Sequence, residues 1–171
     1  GGVTHRALGA SSHGSDQRRL DGVSLKAAAF TNLTQDHLDY HGDMEAYRSA
    51  KLRLFDTLLP RGRTAVLNAD SEAYSSFAAA SIMSGLSVMG VGERGRDLAL
   101  VARQAVPEGQ RLTLDVRGTL HEVLLPLAGA FQASNALVAA GLCIAAGEKP
   151  DRVLAALEHI TGAQGRLQRI P

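Results

Sequence analysis

Thr64-Ala65-Val66-Leu67-Asn68-Ala69-Asp70 is a short apolar run that ends in polar residues; a helical pattern follows over Ser71–Ser81, then a second apolar run, Ser87-Val88-Met89-Gly90-Val91. Apolar runs alternating with helical patterns are the signature of a mostly parallel sheet covered by helices. Upstream the alternation continues, with strands expected over Val3–Ala10 and Ala27–Leu33 and a helix over Met44–Leu59. Polar residues follow directly on three of these strands, as Ser11-Ser12-His13, Thr34-Gln35-Asp36-His37 and Asn68-Ala69-Asp70. Open parallel sheets bind ligands beyond the carboxyl ends of their strands, so these clusters are the first place to seek a site.

Downstream the period changes. Arg111–Val116 and Thr119–Leu125 alternate with period two around Arg117-Gly118, which predicts a β-hairpin with one solvated face. Two helices are expected after it, over Ala130–Ala146 and Pro150–Ile160, divided by Gly147 and with Pro150 at a helix start. No internal repeat, low-complexity tract or linker interrupts the chain. The expected fold is a single α/β domain over residues 1–171, with a mostly parallel sheet flanked by helices and an added antiparallel β-hairpin.

A length of 171 residues suits one domain with a core of its own. Aromatic residues make up only 4% and Trp is absent, so Ala, Leu and Val must fill that core. The formal net charge is +1, which provides no bulk field toward nucleic acid or an anionic membrane; any bound anion must be held by local geometry. Cys143 is the single cysteine, which excludes an internal disulfide and fits a reducing, cytoplasmic setting. No signal peptide opens the chain, and the apolar stretch Ala136–Ala146 falls short of the roughly 20 residues a membrane-spanning helix needs. The chain starts on Gly1 and stops at Pro171 after a run that reads as the beginning of a strand, so an incomplete piece is expected.

The densest chemistry lies in Asn32-Leu33-Thr34-Gln35-Asp36-His37-Leu38-Asp39-Tyr40-His41-Gly42-Asp43. Its histidines and aspartates suit a metal site, a phosphate site or a solvated loop, and Asp43 is placed to cap the next helix. The expected inward stripe of that helix is Met44, Tyr47, Lys51, Leu54 and Leu58, which sets a lysine on an apolar face. The simplest account is a Lys51 whose stem packs while its ammonium reaches water. The other is that burial disfavours the charged amine; a neutral amine adds to carbon dioxide and becomes a carbamate, an anionic oxygen ligand for a hard cation. Spacing alone favours the first.

The segment Phe30–Glu45, with Ala50-Lys51 after it, resembles the signature of the Mur ligase family, in the branch of the UDP-N-acetylmuramoyl-L-alanyl-D-glutamate ligases. The resemblance implies a P-loop-like central domain that binds ATP, with His37 as a magnesium ligand. It also implies that Lys51 is carbamylated and holds magnesium near the γ-phosphate, which favours the second reading of that residue. Ala10-Ser11-Ser12-His13-Gly14 and Asp16-Gln17-Arg18-Arg19-Leu20 resemble the family's segment for the muramyl dipeptide, implying contacts from Ser11, Gln17 and Arg19. Gly129–Ala136 resembles the helix start whose Asn, here Asn135, lies against adenine; the other reading of Asn135 is a buried hydrogen-bonding residue. Gly165-Arg166-Leu167 resembles the segment whose Arg, here Arg166, approaches the nucleotide phosphates.

The resemblance as a whole implies a cytoplasmic, ATP-dependent amide ligase of peptidoglycan synthesis. Such an enzyme uses magnesium and joins a diamino acid to UDP-muramyl dipeptide, with His37, Lys51 and Arg166 as catalytic residues. Two positions depart from the pattern. Gly9 stands where the family carries a Glu that helps hold magnesium, and Ala163-Gln164 replaces a Val-Pro-like pair before Gly165. The phosphate-binding G-x-x-G-K-[ST] loop is also missing from the chain, since Gly90-Val91-Gly92-Glu93-Arg94-Gly95 lacks the Lys and reads as a turn. The fragment is therefore not expected to catalyse alone. Competing readings are a metal-dependent hydrolase using Asp36, His37, Asp39, His41 and a carbamylated Lys51, and a non-catalytic relative.

Overall fold

The computed structural model describes residues 6–9, 24–32 and 44–161. Their elements run β1 (Ala27–Phe30), α1 (Met44–Arg53), a π-helical turn (Leu54–Leu58), β2 (Thr64–Asn68), α2 (Tyr74–Met83) and β3 (Ser87–Gly92). Then come β4 (Leu98–Val106), β5 (Gly109–Val116), β6 (Thr119–Leu125), α3 (Ala130–Ala145) and α4 (Pro150–Leu157). The strands form one sheet in chain order; β1 through β4 pair parallel, while β4–β5 and β5–β6 pair antiparallel.

Both faces of the parallel part are covered, which explains why β2 reads as a continuous apolar run rather than an alternation. Val66 turns to one face with Met89 and Val91, where α3 and α4 bring Ala133, Leu137 and Leu154. Ala65 and Leu67 turn to the other, with Phe30, Phe55, Leu59 and Phe77. Three of the chain's 4 phenylalanines meet in that second core. Phe30 stacks on Phe77 at 4.0 Å between ring centroids, and Phe55 meets Phe77 edge-on at 5.7 Å, geometries that aromatic quadrupoles favour.

Several expectations need correction. The helix over Met44–Leu59 is α-helical only to Arg53; Leu59 N–H then bonds the Leu54 carbonyl at 3.0 Å, five residues back. The buried stripe is Tyr47, Ala50, Phe55 and Leu59, in place of Lys51, Leu54 and Leu58; Ala50 precedes the wider turn, which shifts the phase only for Phe55 and Leu59. The antiparallel part is a three-stranded meander rather than a hairpin. β4 escapes the sequence pattern because a bulge between Leu100 and Ala102 breaks its alternation and most of its residues are exposed. The Arg117-Gly118 turn is as expected, with both residues at positive φ (50° and 93°), the geometry that matches strand twist. Of the strand expected over Val3–Ala10, residues 6–9 carry no strand and lie exposed, and the remainder lies outside the described residues.

Gly141 lets α3 lie close on the sheet. A Cβ there would come within 2.8 Å of Val66 Cγ1 and 3.0 Å of Val91 Cγ1, on side chains with stiff rotamers. Gly141→Val should therefore cost about 1–3 kcal/mol in overpacking. Gly141→Ala should fail to deliver the ~1 kcal/mol that this change brings in an open helix. Midpoints of thermal unfolding of the two variants check both expectations.

Candidate functional site at the carboxyl edge of the parallel strands

Parallel pairing puts the ends of β1, β2 and β3 at one edge, and the chain leaves each of them through polar residues. Asn68, the last residue of β2, is buried and is the hub of this edge. Its Nδ2 donates to the Thr31 carbonyl at 2.9 Å and to Ser134 Oγ at 3.3 Å, while its Oδ1 accepts from Asp70 N–H at 3.0 Å. One side chain thus joins the exit of β1, the exit of β2 and the second turn of α3.

Asp70 fastens the exit of β3. Its carboxylate accepts the N–H groups of Glu93 and Arg94, each at 2.8 Å. Gly92, at φ 120°, lies so near that a Cβ would collide with Asp70 Oδ2. The glycine-rich stretch Gly90–Gly95 is accordingly a turn whose Glu93 and Arg94 N–H groups are taken up by a carboxylate of the chain itself.

Two cavities flank this hydrogen-bonded edge. The larger, about 680 Å³, is lined by Asn32, Glu45, Arg48, Asp70, Ser71 and Glu72 among others. Arg48 Nε is buried there without a hydrogen-bond partner among the described residues. The smaller, about 210 Å³, lies beside the start of α3 and is lined by Asp70, Glu93, Arg103, Ala130 and Ser134 among others. Asn68 and Asp70 stand in the sequence as a polar exit, but nothing there gives their roles, because both act through contacts with distant segments. Arg48 carried no signal at all, one arginine in a helix being ordinary.

Of the residues nominated from sequence, Lys51 and Asn135 are described; Ser11, Gln17, Arg19, His37 and Arg166 lie outside the described residues, as do Asp36, Asp39, His41 and Asp43. Lys51 is half-buried. Its amine donates to the Asn32 carbonyl at 3.5 Å and sits 5.1 Å from the Tyr47 ring centroid, a cation–π contact. It is thus neither sunk in the core nor free in water, and it reaches the edge where β1 ends. Asn135 is half-buried in α3 and its side chain makes no hydrogen bond among the described residues; its neighbour Ser134 makes the bond to Asn68 instead. Lys51 and Asn135 belong to helices on opposite faces of the sheet, and Asn68 links them through Thr31, next to Asn32, and Ser134, next to Asn135.

A hard cation prefers oxygen donors. No group of three or more His, Cys, Asp or Glu side chains is gathered among the described residues. The Lys51 amine in its unmodified form donates rather than ligates, and the Asn32 carbonyl beside it offers one oxygen. No helix among the described residues is long and apolar enough to cross a membrane.

A parallel sheet covered on both faces, with polar side chains collected at its carboxyl edge beside two cavities, defines a ligand-binding α/β domain. The chain matches the Mur ligase middle domain over residues 1–143 and belongs to that family. It is 68% identical over 169 residues to the UDP-N-acetylmuramoyl-L-alanyl-D-glutamate–2,6-diaminopimelate ligase of Caulobacter vibrioides, covering 99% of this chain and 35% of that relative. The ligase of the same name from Mesorhizobium japonicum is 51% identical, with the same coverage of each chain. The chain therefore spans about a third of the length of these curated relatives. A solved structure of a ligase of that name superimposes with a TM-score of 0.85 at 29% identity, covering 95% of this chain and 34% of the other. For MurF from Acinetobacter baumannii the TM-score is 0.78 at 26% identity, covering 87% and 32%.

If Asn68 holds the edge together, Asn68→Ala should cost about 1–3 kcal/mol, since three hydrogen bonds of a buried side chain are lost together. Ser134→Ala, which removes only the longer of the two contacts, should cost under about 1 kcal/mol. Urea unfolding of the two variants measures the difference.

Proposed function

We propose that this chain is the central, ATP-binding domain of a cytoplasmic ligase that joins 2,6-diaminopimelate, a diamino acid, to UDP-N-acetylmuramoyl-L-alanyl-D-glutamate. In this reading residues 1–171 are part of that domain, with a phosphate-binding loop and an amino-acid-binding domain elsewhere in the longer enzyme. The observation that carries it is Lys51, whose amine meets the Asn32 carbonyl at the edge of the sheet, where the family's signature segment begins. The substrates for which the relatives are named support the substrate pair.

In the reaction the D-glutamate side-chain carboxylate attacks the γ-phosphorus of ATP, giving an acyl phosphate and ADP. The amine of the diamino acid then attacks the acyl carbon and phosphate leaves. Phosphoryl transfer of this kind needs alignment and neutralised charge more than covalent help from the protein. Ser11, Gln17 and Arg19 would hold the muramyl dipeptide, the arginine through its fork of donors. Asn135 would contact adenine from the first turns of α3, and Arg166 would steady the phosphoryl group in flight. His37 and carbamylated Lys51 would hold magnesium, which supplies charge neutralisation at the phosphates when bound.

Lys51→Ala in the intact ligase should lower turnover about 10²–10³-fold or more, the scale of losing a main electrostatic support. Added bicarbonate should not rescue it, because no amine is left to modify. Near-normal phosphate release by the variant would refute the role. The same assay separates ligation from the hydrolase reading, as ATP should be consumed only when muramyl dipeptide and diamino acid are both present.

Gly9 bears on whether magnesium binding is weakened. A Cβ at Gly9 meets no described atom within 4 Å. Gly9→Glu should lower the magnesium concentration that gives half-maximal rate; an unchanged magnesium titration would show that the cation is held without this position.

A further inference from the structure

Gln110 is a glutamine with 1% of its surface exposed, near the start of β5. Its Nε2 donates to two backbone carbonyls, Leu127 at 2.6 Å and Gly129 at 3.0 Å, on the segment that leads from β6 into α3. Arg103 donates to its Oε1 at 3.4 Å. Because a guanidinium only donates and a carbonyl only accepts, this trio admits a single orientation of the amide. Gly129 is the residue before α3, at φ 94°, and its carbonyl also accepts the Ala133 N–H at 3.2 Å, the first bond of the helix.

The neighbouring Gly109 points to the same segment. At φ 149° it passes so close that a Cβ would collide with the Leu125 carbonyl oxygen and lie 2.9 Å from Pro126 Cα. Gly109 allows the segment to approach, and Gln110 then fastens it at two points. The segment has no strand partner beyond Leu125, so the bonds of a ladder do not determine its path. Burying a glutamine without meeting its amide is costly; here every polar atom of the side chain is engaged, and both acceptors lie just ahead of α3.

We infer that Gln110 is a positioning residue for nucleotide binding. By clamping the Leu127 and Gly129 carbonyls it sets where α3 begins, and hence the pose of Asn135 about two turns later. The inference rests on the proposed contact between Asn135 and adenine. Asn68 fixes the same helix from the sheet side through Ser134. Gln110 holds it from the meander side, so the α3 start is gripped between the parallel and antiparallel parts of the sheet.

The test uses the intact ligase and steady-state kinetics with ATP, UDP-muramyl dipeptide and diaminopimelate varied in turn. Gln110→Met keeps the length of the side chain and removes both donors. The KM for ATP should rise about tenfold, the scale of one or two hydrogen bonds to a positioned helix. Meanwhile kcat and the KM for the other two substrates should stay within about twofold. Combined with Asn135→Ala, it should raise the KM for ATP no further than Asn135→Ala alone, as expected of a residue acting through another. Should Gln110→Met not fold, Arg103→Met frees the amide to rotate from an exposed position and should raise the KM for ATP about threefold.

An unchanged KM for ATP despite a lower melting temperature would reduce Gln110 to a structural role and overturn the inference. A parallel rise in all three KM values would overturn it equally. If Asn135→Ala leaves the KM for ATP unaltered, the reading of α3 as the nucleotide helix fails and takes the inference with it. If Asn135→Ala raises that KM while Gln110→Met does not, only the inference fails.

Discussion

A single buried amide organises the working edge of this domain. Asn68 ends β2 with its own side chain buried, and it contacts three segments that are far apart in the chain. The Thr31 carbonyl belongs to the exit of β1, the Asp70 N–H to the exit of β2 itself, and Ser134 to the helix over the opposite face. The positions of Lys51 and Asn135 depend on this tie, since each lies beside a residue that Asn68 or its partner holds.

The sheet makes such a hub possible because it is covered twice. Val66 packs under α3, Ala65 and Leu67 pack under the aromatic group of Phe30, Phe55 and Phe77, and the edge between the two cores is left for polar groups. Asp70 and Gln110 repeat the logic of Asn68 at neighbouring points, each spending a side chain on backbone groups of a loop that lacks ladder partners. The loops at this edge are thereby held by side chains rather than by strand pairing. Ligand-binding loops mounted on a rigid scaffold need this, because pairing in the sheet ends where the site begins.

Much of the fold was legible in the residues. β2 matched its expected bounds, β3 ran one residue further, and α3 and the Arg117-Gly118 turn were placed to within a residue. These elements carry strong local signals: a doubly buried apolar run, a long Ala-rich helix and a turn pair that needs positive φ. β4 was missed because its bulge and exposed second half obey no simple period. The stripe of α1 was misjudged because Tyr47 and Ala50 face the core rather than Lys51, and a π turn then changes the phase ahead of Phe55 and Leu59. Of the site, the polar exit Asn68-Ala69-Asp70 could be located, and Lys51 and Asn135 nominated by family resemblance. The partners that explain them could not be found, since Asn68 and Ser134 are 66 residues apart.

The sequence by itself determined the class of architecture, the order of most strands and helices, and the family, because periodicity, turn chemistry and a long signature are all local properties of the chain. Tertiary structure alone decided how Asn68, Asp70 and Gln110 are used, how deeply Lys51 is buried, and that the antiparallel part has three strands. Those outcomes depend on which distant backbone groups are left without partners once the sheet is assembled, and a hydrogen bond between remote segments leaves no pattern in the order of residues.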